Sequence, residues 1–318
     1  MLCAATYFGN VLLQSDRGAG VCALTDVATT VMQVGTTLFQ IERETMRFSM
    51  ILCSGLALAT ATFASPALAD DGGETAPPPA LTVNGTATVV SDYRFRGISQ
   101  TDKNFAIQGS ITISHKSGFY ASVWGSSVDG YVTAAGDYVN GTNGGQANVE
   151  LDVIGGFKKT VGGTTFDIGV LYYVYPKTKL TGDPTSSDFV EPYFAVSHTF
   201  GIVSAKATVN YAPKQKALAL DQGLTGLLPK NDNVYLAGDF AAGIPKTPIS
   251  VSAHIAHTFG PSWLSIGNGY TDWNLGASYT WKAVTFSAQY VDTDGDFITP
   301  SGKNASKAGF VGSIGVSF

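Results

Sequence analysis

Asn148-Val149-Glu150-Leu151-Asp152-Val153-Ile154-Gly155-Gly156-Phe157 alternates between two kinds of side chain. In an extended chain Val149, Leu151, Val153, Gly155 and Phe157 share one face, and Asn148, Glu150, Asp152, Ile154 and Gly156 the other. One face is oily and the other carries two carboxylates, so the strand separates two different media. The same period returns in Val203, Ala205, Ala207, Val209 and Tyr211 against Ser204, Lys206, Thr208 and Asn210. It returns again in Ile249, Val251, Ala253 and Ile255 against Ser250, Ser252 and His254. Twelve such segments begin near Leu81, Phe105, Phe119, Ala147, Thr165, Phe189, Ile202, Asn233, Thr247, Thr271, Ala283 and Lys307. No long stretch carries the 3.6 period of a helix.

The connections between these segments sort by length. Lys116 to Gly118, Lys158 to Gly163, Phe200-Gly201, Gly243 to Lys246 and Trp281-Lys282 are short. Gly97 to Asn104, Ser127 to Gln146, Pro176 to Asp188, Pro213 to Asp232, Gly260 to Tyr270 and Thr293 to Ser306 are longer and polar. Strict alternation of short and long is the layout of an all-β, transmembrane, antiparallel up-and-down β-barrel of the outer-membrane type, with all long loops at one rim. Backbone groups in hydrocarbon must be paired, so the sheet is expected to close. Aromatic residues mark the expected rims: Phe119, Phe157, Phe166, Phe259, Trp281 and Phe318 near the short turns, Phe95, Tyr172, Tyr211, Trp273 and Tyr290 near the long loops. Pro192, inside a strand, is expected to mark a bulge or a strand end.

The composition agrees. Of 318 residues, 44% are hydrophobic and only 14% charged, against about 25% charged in a typical soluble domain. The 19 basic and 24 acidic side chains give a net charge of -5, which offers no cationic surface for a nucleic-acid partner. Met46, Arg47 and Phe48 open onto an apolar run that ends in Ala67-Leu68-Ala69, the pattern of a signal peptide over 46–69 cleaved after Ala69. Residues 1–45 precede it and read as an N-terminal extension, with translation starting at Met46. An acidic, Pro-rich spacer over 70–80 then leads to the barrel over 81–318. Cys3, Cys22 and Cys53 all precede the cleavage point, so the exported chain has no thiol chemistry.

The segment Ser91-Asp92-Tyr93-Arg94-Phe95-Arg96-Gly97-Ile98-Ser99-Gln100-Thr101 resembles the N-terminal motif of the TorF family of porin-type proteobacterial proteins. The similarity spans about Leu81 to Phe318 and implies an outer-membrane barrel with a channel, and no particular substrate. The chain also ends in Phe310-Val311-Gly312-Ser313-Ile314-Gly315-Val316-Ser317-Phe318, which looks like the C-terminal signal read by the outer-membrane assembly machinery, with Phe318 as its last residue.

By parity, strand one points Asp92, Arg94 and Arg96 inward and Tyr93 and Phe95 outward. Glu150, Asp152, Asp167, Glu191, Lys206, Asp239 and Asp272 are the other expected pore-lining charges. Three positive charges then face seven negative, which predicts weak cation preference. Twelve strands about 4.8 Å apart, tilted about 45°, enclose a lumen of about 10–14 Å before any loop folds inward. The loops 127–146 and 213–232 are the candidates for narrowing it. The expected function is passive diffusion of ions and small polar solutes through the outer membrane, with its lipids and lipopolysaccharide as surroundings. A non-conducting barrel that works as a structural or surface-binding protein stands as the alternative, and a lipid hydrolase third. No enzyme, cofactor or metal site is predicted. Ser252 and His254 lack an orienting third group, His254 and His257 fall on opposite faces, and Asp292, Asp294 and Asp296 are followed by Phe297 where a calcium loop needs Gly.

Overall fold

The computed structural model describes residues 79–132, 147–176, 187–219 and 230–318. The extension 1–45, the signal peptide 46–69, the three cysteines and most of the spacer 70–80 lie outside the described residues. So do most of the loop 127–146 and the middle of the loop 213–232.

Twelve antiparallel strands form a closed barrel in chain order. They are β1 (Leu81–Val90), β4 (Ala106–His115), β5 (Phe119–Ser127), β6 (Val149–Val161), β7 (Thr164–Val174), β8 (Phe189–Phe200), β9 (Val203–Gln215), β10 (Asn231–Gly243), β11 (Ile249–Phe259), β12 (Tyr270–Trp281), β13 (Val284–Thr293) and β14 (Gly309–Ser317). Between β1 and β4, β2 (Arg94–Phe95) and β3 (Ile98–Ser99) form a separate small hairpin. Each barrel strand starts within two residues of the place its side-chain period indicates. Among the short connections Lys158 to Gly163 shrinks most: β6 runs on to Val161, and Gly162 and Gly163, both at positive φ, make a two-residue turn.

The wall alternates as its sequence does. In β6, Val149, Leu151 and Val153 are exposed while Glu150, Asp152 and Ile154 are buried. Outward-facing Ile107, Val123, Ile168, Leu236, Ile255 and Leu275 belong to a continuous apolar exterior, a surface no soluble monomer sustains and one that suits hydrocarbon. Phe119, Phe166, Phe200, Trp281 and Phe318 are exposed at the short-turn rim, and Phe105, Tyr172, Tyr211, Phe259 and Phe310 at the long-loop rim. Phe259 thus stands at the rim opposite to the expected one, because β11 begins after a short turn and ends at the long connection 260–269.

Two irregularities are resolved locally. Pro192 neither ends β8 nor bulges its ladder with β7, where it pairs with Val170. It marks the point where pairing with β9 stops, at Tyr193. Beyond it the Gln215 side chain takes over, accepting from Val190 N–H at 2.8 Å and donating to Val190 C=O at 2.9 Å. At the barrel seam the terminal Phe318 exchanges backbone hydrogen bonds with Gly85 at 2.8 and 3.0 Å. Its ring occupies the space a Gly85 side chain would need.

Candidate functional site

The ladder between β1 and β4 ends at Val90 and Ala106, and from there the chain turns into the lumen. Strand-one parity therefore fails after Val90: Asp92, Arg94 and Arg96 reach the interior on an inward hairpin and not on the wall. Tyr93 is fully buried, and Phe95 packs edge-on against Tyr173 at 6.0 Å, so neither faces lipid. The hairpin turns at Arg96-Gly97, both at positive φ (49° and 81°), the geometry of a two-residue type I′ turn. Gly97 suits it; Arg96 is strained there. A side chain on Gly97 would collide with Asp272 and Thr293, so the tip sits hard against β12 and β13.

What holds Arg96 in place is the far wall. Its guanidinium donates to Glu191 Oε1 at 2.6 Å on β8 and to Asn233 Oδ1 at 2.9 Å on β10. Its carbon lies 4.1 Å from the Tyr235 ring centre and 4.9 Å from that of Phe95. Glu191 also accepts from Tyr173 Oη at 3.0 Å and Asn210 Nδ2 at 3.2 Å. β8 lies across the barrel from β1 in the strand order, so the hairpin spans the lumen. Arg94 stiffens the hairpin from within, donating to Asp92 Oδ2 at 2.6 Å and to the carbonyls of Gly97 and Ala305 at 3.0 Å each. Asp92 further accepts from Ser99 Oγ at 2.6 Å.

Where the connection climbs back to the rim, Asp102 clamps it to the segment between β13 and β14. Thr299 Oγ1, Ser301 Oγ and Lys303 Nζ reach its carboxylate at 2.9, 2.9 and 3.0 Å. Burial pushes this carboxyl up, but the hydrogen bonds from Lys303, Ser301 and Thr299 outweigh it and hold it below its ordinary value. Tyr131 accepts from the Asp102 N–H at 3.2 Å and donates to the Ser99 carbonyl. Burial pushes its phenol up to about 12.

The remaining charges line the wall. Lys158 reaches Asp167 at 3.4 Å, and Lys206 stands opposite Asp239 in the β9–β10 ladder. His254 lies between two carboxylates, Nδ1 at 2.6 Å from Asp239 and Nε2 at 3.2 Å from Asp272, with Tyr235 Oη at 3.1 Å. Both ring nitrogens face acceptors, so the ring carrying both protons completes the pairing. Glu150 accepts from Tyr93 Oη at 3.0 Å. Asp292, Asp294 and Asp296 do not converge: each accepts from a different donor, Thr293 N–H, Thr271 N–H and Asn304 Nδ2. Among the described residues no three His, Cys, Asp or Glu side chains gather as a metal cluster. Sequence reasoning misses Lys158 as a lumen charge, although parity continued past Phe157 finds it; it places His254 on the inner face, as the structure has it, without counting it among the charges.

The hairpin divides the interior. Toward the long-loop rim lies an aromatic recess whose lining includes Phe95, Tyr175, Phe189, Trp263, Tyr270 and Phe297. Toward the short turns lie two polar recesses, one touching Arg96, Asp167, Lys206 and Asn210, the other Asp92, Arg94, His254 and Asp272. At the hairpin's level the wide lumen expected from strand number is occupied. Among the described residues the segment 91–105 narrows it, joined by the described ends of the two expected loops through Tyr131 and Ala217 in the aromatic recess; most of 127–146 and the middle of 213–232 lie outside the described residues.

A family model described as a bacterial protein of unknown function (Gcw_chp) matches residues 74–318. No curated protein matches the chain by sequence. Among solved structures, the NanC porin is similar at a TM-score of 0.46 and 12% identity, over 74% of this chain and 99% of that one. The KdgM porin is similar at 0.43 and 10%, over 74% and 97%. An outer-membrane channel from Pseudomonas putida F1 is similar at 0.43 and 12%, over 78% and 98%.

Proposed function

The chain belongs to the Gcw_chp family of bacterial proteins, and we propose that it is an outer-membrane channel for passive diffusion of ions and small polar solutes, narrowed by the hairpin 91–105. The observation that carries this reading is the sorting of side chains by the closed barrel: apolar residues and aromatic rims outside, a ring of ionisable groups around a hairpin carrying Arg94 and Arg96 inside. A structural barrel has no need to fill its interior with Arg94, Arg96, Lys158, Lys206 and seven carboxylates, each of which is costly to desolvate. The terminal Phe318 fits recognition by the assembly machinery as well as closure of the seam, and the segment 91–101 supports the finer assignment to the TorF family.

The channel prefers cations. Each arginine is matched to a carboxylate, whereas among the described residues Glu150 and Asp152 form no ion pair, so the field left over in the metal-free barrel is negative. The purified, folded barrel inserted into a planar bilayer should give discrete current steps and a cation-sided reversal potential in a KCl gradient. A folded barrel that never produces steps would instead establish the non-conducting reading, and an anion-sided potential would overturn the preference. Hydrolysis draws no support from the geometry: His254 is held by Asp239 and Asp272, with no serine hydroxyl among its hydrogen-bond partners.

A further inference from the structure

Glu150 and Asp152 are neighbours on the inner face of β6, 1% and 0% exposed. Their surroundings are aromatic and phenolic. Tyr93 Oη donates to Glu150 and its ring meets Trp124 edge-on at 5.4 Å. Tyr175 Oη is a second donor to Glu150. Trp124 and Tyr173 flank Asp152 in the two adjacent ladders, and the Tyr173 hydroxyl is directed to Glu191. The charged groups that act on Asp152 are Glu150 and Glu191, both of its own sign. Arg96, which neutralises Glu191, is bonded to it and to Asn233 and forms no ion pair with the β6 carboxylates.

Among the described residues neither oxygen of Asp152 meets a hydrogen-bond partner, although the side chain is completely buried. An isolated buried carboxylate is costly to desolvate, and other buried carboxylates in this lumen avoid that cost through partners. The donor set here is all oxygen: two carboxylates and two phenols, with a combined charge that one divalent ion cancels. Such a set suits a hard cation, which takes six to eight oxygen ligands and completes its shell with water.

We infer that Glu150 and Asp152, with Tyr93 and Tyr175, form a binding site for a divalent, oxygen-ligated cation of the Ca²⁺ type at the root of the inner hairpin. Because Tyr93 belongs to the segment that leads into the hairpin, the ion ties that segment to β6. The site rests on geometry and not on conduction, so it is read first by binding and stability; a bound Ca²⁺ also removes the negative field that Glu150 and Asp152 supply in the metal-free barrel.

The test uses the full barrel, refolded in detergent and stripped with a chelator, with CaCl₂ as the probe. Calorimetry should show one Ca²⁺ per wild-type chain, and the melting temperature should rise with Ca²⁺ concentration, since a ligand of the folded state stabilises it by mass action. Asp152→Asn and Glu150→Gln should each weaken binding by about tenfold or more. Asp296→Asn, in the loop between β13 and β14, should leave it unchanged. Metal-free Asp152→Asn should be at least as stable as the metal-free wild type, because it removes a buried unpartnered charge; this readout also confirms that the variant folds. A folded wild-type barrel that binds no Ca²⁺ overturns the inference and leaves the pair sharing a proton. Binding that survives Asp152→Asn but is lost in Asp296→Asn overturns it too, by moving the site to the surface.

Discussion

Replacing Arg96 with alanine removes the contact that carries the hairpin across the barrel. The lost interactions are the donations to Glu191 at 2.6 Å and Asn233 at 2.9 Å and the stacking over Tyr235 at 4.1 Å. Leaving one member of a buried ion pair without its partner costs about 3–5 kcal/mol. Glu191 keeps two donors, Tyr173 Oη and Asn210 Nδ2, which favours the lower end. Loss of the cation–π contact adds about 0.5–2 kcal/mol. Set against these, alanine relieves little of the strain at a left-handed position, which is unfavourable for any residue with a Cβ. A net loss of about 4 kcal/mol lowers the ratio of docked to released hairpin by roughly a thousandfold. Single-channel recording should show a larger mean conductance, with more frequent transitions between levels. Arg96→Met combined with Glu191→Leu should return the record toward wild type, since an apolar pair of similar volume replaces a buried ion pair at little cost. An Arg96→Ala barrel that folds, conducts, and is indistinguishable from wild type would refute the idea that this ion pair holds the constriction.

At the rim, the Asp102 carboxyl is held below its ordinary value, so its clamp is complete above about pH 4 and weakens as pH falls through the lower folded value. Hydrogen exchange over 97–103, corrected for intrinsic rates, should therefore rise on acidification, and Asp102→Asn should show the faster exchange already at pH 7 with no further pH response. Ile168 points to lipid near the middle of β7. Ile168→Arg should lower stability by about 2–4 kcal/mol in urea unfolding from lipid vesicles. A side chain at Gly169 would approach the backbone oxygen of Gly155 to 2.8 Å and the Tyr193 hydroxyl to 2.6 Å, whereas Gly155 has open space around it. Gly169→Ala should cost about 1–3 kcal/mol; Gly155→Ala, measured the same way, should be close to neutral.

The wall of the barrel was legible because each strand states its own orientation. Val149-Glu150-Leu151-Asp152-Val153 needs no partner to reveal which face meets lipid, and twelve such statements with sorted loops leave one topology. Errors arose where parity stopped being local evidence. Aromatic character does not say which rim a residue belongs to, and only the lengths of the flanking connections place Phe259 at the long-loop rim. Lys158 lies in the strand because Gly162-Gly163, four residues later, suffices to make the turn.

The hairpin is a different kind of failure. Alternation in Asp92-Tyr93-Arg94-Phe95-Arg96 has the same period as a wall strand, since β2 is itself a strand, and Arg-Gly is a poor signal for a turn that prefers Asn-Gly or Asp-Gly. What selects the inward fold is Glu191, 95 residues away, and Asn233, 137 residues away. Neither distance leaves a mark on the local pattern. The same fact limits what a sum of charges can say about the lumen. Counting assigns Arg94, Arg96 and Lys206 equal weight, yet the two arginines are consumed by Asp92 and Glu191 and act on solutes mainly through the position of the hairpin. In the metal-free barrel selectivity then follows from the carboxylates that pairing leaves over, Glu150 and Asp152, and conductance follows from how firmly Arg96 holds the far wall. A residue's sign and inward position are read from sequence; which of these two properties it controls is decided only by its partner.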